Sequence, residues 1–83
     1  MMAIAREPFE WTFGGVEIDA EFLVLLMAFD SDDPEEGATI RFSNEVDARS
    51  CEEVCLRRLG GGRTVLMRRV GRTDDAATYR EIG

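Results

Sequence analysis

Phe22 to Phe29 is an unbroken run of eight apolar residues, FLVLLMAF, in a chain of only 83. Side chains in such a run leave the backbone on both sides, whether it coils or extends. The element therefore needs cover on two faces. A chain of this size buries only about 60% of its unfolded surface, which leaves little to spare for that. Part of the run is accordingly expected to meet a partner, or a second copy of the chain in a homodimer. The run falls well short of the ~18 apolar residues of a membrane span.

Residues 19–29, DAEFLVLLMAF, read as helix in preference to strand. Asp19 suits an N-cap, Glu21 suits a first turn, and Ala, Leu and Met favour helix. Phe22, Leu25, Leu26 and Phe29 then form one stripe. The rival reading is a strand that continues from the residues before it.

Those residues carry a hairpin signal. Phe9, Trp11 and Phe13 alternate with Glu10 and Thr12, Gly14-Gly15 follows, and Val16 and Ile18 alternate with Glu17 and Asp19. A two-residue turn pairs Phe13 with Val16, Trp11 with Ile18 and Phe9 with Ala20 on one face. Glu10 would then face Asp19, an unfavourable pair that ends the ladder near that point.

Farther along, DSDDPEEG (30–37) is an acidic loop broken by Pro34 and Gly37, and its spacing does not match an EF-hand. Thr39 to Ser43 is a short strand with Ile40 and Phe42 on one side. A helix starts at Asp47 or Ser50 and runs to Leu59. Its buried stripe is Ala48, Cys51, Val54, Cys55 and Leu59, with Arg49–Glu53 and Glu53–Arg57 as i,i+4 pairs. Gly60-Gly61-Gly62 ends it. Thr64–Val70 and Ala77–Ile82 make a second hairpin around Gly71 to Asp75. The expected fold class is α+β: a small antiparallel sheet built from two hairpins and a short strand, with one or two helices packed on one face. One domain spans 1–83, with 1–7 a flexible tail and 60–62 a glycine joint.

Charge narrows the function. The net value is −7, and it is uneven. Residues 1–47 hold twelve acids and two arginines, hence −10; residues 48–83 hold five acids and eight arginines, hence +3. Such a balance argues against direct nucleic-acid binding and against anionic membranes. All ten basic residues are Arg, and His and Lys are absent. The usual neutral-pH base and the P-loop or Schiff-base amine are therefore missing, and no enzyme is expected. Cys51 and Cys55, four apart on one helix face, read as small reduced core residues. A zinc site needs four ligands, so neither metal nor cofactor is expected. MMAIAREPFEW has neither the basic nor the apolar region of a signal peptide, which points to the cytoplasm of a bacterial host.

What remains is a small acidic binding protein. The expected function is that of a phage or mobile-element inhibitor, anti-CRISPR-like in size and charge. It would block the basic surface of a nucleic-acid-handling complex such as a CRISPR effector. Asp30, Asp32, Asp33, Glu35 and Glu36 are the candidate contact residues, and Arg57, Arg58, Arg68 and Arg69 form a candidate secondary surface. The alternative is a phage or bacterial assembly protein that oligomerises through its apolar face. A third reading is a nucleic-acid binder using the C-terminal arginines.

Overall fold

The computed structural model describes residues 8–14, 19–27, 33–58 and 63–82. The expected N-terminal tail, the glycine joint 60–62, the Gly14-Gly15 turn beyond Gly14 and the first part of the acidic loop (30–32) lie outside the described residues.

Among the described residues, five strands form one curled antiparallel sheet, with one α-helix on one face. The strands are β1 (Glu10–Gly14), β2 (Phe22–Met27), β3 (Ala38–Phe42), β4 (Arg63–Arg72) and β5 (Ala76–Glu81); the helix is α1 (Glu45–Arg58). A short 3-10 helix, Pro34–Glu36, precedes β3. The strand order is β1-β5-β4-β2-β3.

The described part of the apolar run, Phe22–Met27, is strand, not helix, and its last two residues, 28 and 29, lie outside the described residues. β2 pairs with β3 on one side (Val24 opposite Ile40) and with β4 on the other (Val24 opposite Leu66). Its residues alternate between two cores. Leu23, Leu25 and Met27 join Val65, Met67, Ala77 and Tyr79 on one face. Phe22 and Val24 join Leu66 and Ala48 of α1 on the other, with Leu26, Phe42, Cys51 and Ile82 packed around them. Phe22–Met27 is therefore covered on both faces by its own chain, and exposures of 5% or less at Phe22, Leu23, Val24, Leu25 and Met27 leave no apolar face there for a partner. Helix propensities differ by less than ~1 kcal/mol per residue, whereas burying each large side chain contributes about 1.5–3 kcal/mol. Burial between two neighbouring strands decides the outcome.

The turn and most of the second strand of the expected first hairpin (15–18) lie outside the described residues; β1 itself takes a long-range partner. β1 runs antiparallel to β5, so Trp11 lies opposite Tyr79 and Glu10 opposite Arg80. Across that pair the like-charge clash foreseen between Glu10 and Asp19 becomes an ion pair, Arg80 Nε to Glu10 Oε2 at 2.9 Å. The second hairpin forms as the alternation suggests, β4 against β5 around Thr73–Asp75, with a bulge between Arg69 and Gly71.

Helix α1 begins at Glu45, two residues before the earliest expected start. Asn44 caps it: the Asn44 side-chain oxygen accepts from Asp47 N at 2.9 Å, and its amide donates to the Asp47 carboxylate. Ala48 is buried and Cys51 packs on the core, but Val54 is 49% exposed and leaves the expected stripe. Arg49 reaches back to Glu45 at 2.7 Å.

Candidate functional site

Asp33 shapes the described part of the acidic loop. Its carboxylate accepts from Glu35 N at 2.9 Å, capping the 3-10 helix, and Pro34 is buried beneath the turn. This anchoring presents Glu35 and Glu36 to solvent. Gly37 closes the turn against β2; a side chain there would run into the Leu26 carbonyl. Asp33, Glu35 and Glu36 thus share one capped corner beside the start of β3. Asp30 and Asp32 lie outside the described residues.

Two of the arginines expected to form a secondary surface, Arg68 and Arg69, also make contacts within the chain. Residues 19–21, which lead from β1 into β2, are held across β4 and β5 by guanidinium groups. Arg69 Nη1 donates to the Asp19 carbonyl at 3.0 Å, and Arg69 N donates to the Glu21 carbonyl at 2.9 Å. Arg72 pairs with the Asp19 carboxylate. Arg68 lies 3.7 Å from Glu21 and 5.8 Å above the Phe22 ring. Arg68 and Arg69 therefore make contacts within the chain, while the Arg68 side chain stays 56% exposed. Arg57 and Arg58 fall in the last turn of α1, and their side chains lie outside the described residues. Asp19 and Glu21 carry roles that local sequence could not suggest, because their partners lie some fifty residues away.

Beneath this clamp the Tyr79 hydroxyl donates to the Ala20 carbonyl at 2.6 Å. Burial pushes the phenol above its ordinary 10.0, with Asp19 adding to the rise and Arg69, Arg72 and Arg41 opposing it. On α1, the Cys51 and Cys55 sulfurs are 3.9 Å apart and both thiols are free. Burial raises the Cys51 thiol above its ordinary 9.0, and the neighbouring Cys55 thiol raises it further. A nucleophilic cysteine needs the opposite shift. Among the described residues, no three His, Cys, Asp or Glu side chains converge to hold a metal ion. Among the same residues, no helix is long and apolar enough to cross a membrane.

Fold and site together define a small antiparallel α+β domain with an acidic corner and an internally engaged arginine strand. Comparison with family models, with curated proteins and with solved structures finds no match to this chain.

Proposed function

We propose that the chain is a non-catalytic inhibitor that offers carboxylates to the basic nucleic-acid-binding surface of a partner protein, such as a CRISPR effector complex in a bacterial cytoplasm. The observation that carries this reading is the acidic corner itself: Asp33 caps the turn through Glu35 N, and Glu35 and Glu36 are exposed beside it, in a chain of net charge −7. Such carboxylates can take the place of phosphates in an arginine- or lysine-lined groove. The absence of His and Lys and the raised Cys51 thiol support a binding role over catalysis.

The test is competition for a guide-loaded CRISPR effector against its labelled target duplex. The chain is expected to displace the duplex, less so as salt rises. Glu35→Arg/Glu36→Arg should weaken displacement with an unchanged circular dichroism spectrum. Displacement that is insensitive both to salt and to the double reversal would remove the acidic corner from the mechanism. No displacement at all would remove the effector as partner.

A further inference from the structure

Among the described residues β1 is an edge strand, and its outer side has the make-up of a pairing surface. Glu81 N donates to the Phe9 carbonyl at 2.7 Å, which sets the alternation of the β1–β5 ladder. Trp11 and Phe13 turn their backbone groups toward β5, and Glu10, Thr12 and Gly14 turn theirs outward. Among the described residues nothing pairs with that outer side. A Cβ added at Gly14 would meet nothing within 4 Å. The devices that protect an edge are absent from β1: it has no Lys, no internal Pro and no bulge, and its single charge, Glu10, is neutralised by Arg80.

One face of this edge is aromatic. Phe9, Trp11 and Phe13 lie side by side, half-buried, against the core that α1 does not cover. Phe9 and Trp11 stack with centroids 6.0 Å apart, and Phe13 meets Tyr79 edge-on at 5.8 Å. Half-buried aromatic rings beside unpaired backbone donors are the usual make-up of a strand-addition surface.

We propose that β1 pairs antiparallel with β1 of a second copy of the chain, about a two-fold axis at Thr12, to give a continuous ten-stranded sheet. The strand is complementary to itself in this register. Thr12 meets Thr12 of the other copy, and Glu10 meets Gly14, so every outward-facing residue finds a hydrogen-bonding partner and no like charges oppose. Trp11 meets Phe13 twice, at the closer non-hydrogen-bonded positions where aromatic pairs contribute most. About six new backbone hydrogen bonds result, two per hydrogen-bonded pair. Sliding the axis to Trp11 sets Gly14 against Pro8, which has no N–H to give. Sliding it to Glu10 sets two carboxylates face to face. The bonding surface is local and uncharged, while each chain carries −7 overall. Added salt therefore screens the mutual repulsion and strengthens the dimer, the reverse of its effect on a basic partner.

Sedimentation over a range of concentration and salt tests this. The chain is expected to pass from 9.3 kDa to twice that mass, with tighter association at higher salt and a blue shift of its single tryptophan. Thr12→Pro removes one outward N–H and leaves the β5 ladder intact, so it should give a folded monomer. Thr12→Val loses the 2.8 Å hydroxyl contact to Thr78 but keeps the N–H, and should remain dimeric. Should Thr12→Pro fail to fold, Thr12→Cys on a Cys51→Ala/Cys55→Ala background decides: it should cross-link into a disulfide dimer on oxidation, because facing Cα atoms at ~5.5 Å suit that bond. A wild-type chain that stays monomeric up to about 1 mM, where even ~4 kcal/mol of association would show, overturns the proposal. So does a dimer that is indifferent to Thr12→Pro, or a Thr12→Cys chain that does not cross-link.

Discussion

The Tyr79 hydroxyl donates to the carbonyl of Ala20 across 2.6 Å, joining the last strand to the segment that leads into β2 across 59 positions of sequence. Tyr79 is fully buried, and its ring meets Phe13 at the same time. One side chain thus ties β1, β5 and the 19–21 segment together.

Tyr79→Phe keeps the ring and removes the donor. It should cost about 1–3 kcal/mol in urea unfolding, since the Ala20 carbonyl loses its partner. The pH dependence follows from the raised phenol. The folded state favours the neutral form, so the contribution is complete below the ordinary value of 10.0 and is lost as pH climbs through the higher folded value. Wild type should therefore weaken more steeply than Tyr79→Phe above pH 10.0. Parallel alkaline titrations of the two would refute this.

Gly37 is required for its lack of a side chain. Its φ of −113° is ordinary, so conformational freedom is not the reason; a Cβ would collide with the Leu26 carbonyl of β2. Gly37→Ala should cost about 1–3 kcal/mol as an overpacked contact. Gly71→Ala, with nothing within 4 Å of the new methyl, should be tolerated. Equal melting temperatures for the two variants would contradict this.

Trp11 is half-buried rather than sealed in the core, so Trp11→Ala should cost about 2–3 kcal/mol, below the ~3–5 kcal/mol of a fully enclosed ring. Denaturant unfolding of the monomer at low concentration measures it. A cost near zero would mean that the Phe9–Trp11 stack contributes nothing to the fold.

The Arg72–Asp19 pair is mostly exposed, at 46% and 73% for the two side chains, so solvent screens it. A double-mutant cycle with Ala should give a coupling of only ~0.2–1 kcal/mol, shrinking in high salt. A coupling that is large and unaffected by salt would contradict a screened surface pair.

Cys51→Ser should destabilise more than Cys51→Ala, because a hydroxyl placed against Phe22, Val24 and Leu66 has an apolar neighbourhood. With the Cys51 thiol raised, its reaction with a disulfide reagent at neutral pH should be slower than that of a free cysteine. Fast labelling in the folded state would argue against the packing described for α1.

Much of the fold was legible in local pattern. The alternation of Ile40 with Phe42, the β4–β5 hairpin around Thr73–Asp75, and a single helix carrying Ala48 and Cys51 on its inner face are period-2 and period-3.6 signals that need no distant partner. The α+β class follows from them. The break before β3 was legible in part: Pro34 and Gly37 interrupt strand and α-helix there, but the 3-10 turn over Pro34–Glu36 was not foreseen.

Tertiary structure decided the rest. Whether Phe22–Met27 coils or extends is nearly balanced in local propensity, and the balance is tipped by β3 and β4 closing on either side of it. The pairing of β1 with β5, which sets Trp11 opposite Tyr79 and Phe13 opposite Ala77, joins segments from the two ends of the sequence. The same closure brings Arg68, Arg69 and Arg72 of the surface into contact with Asp19 and Glu21. Each of these outcomes rests on contacts between residues tens of positions apart, and local periodicity carries no information about contacts of that range.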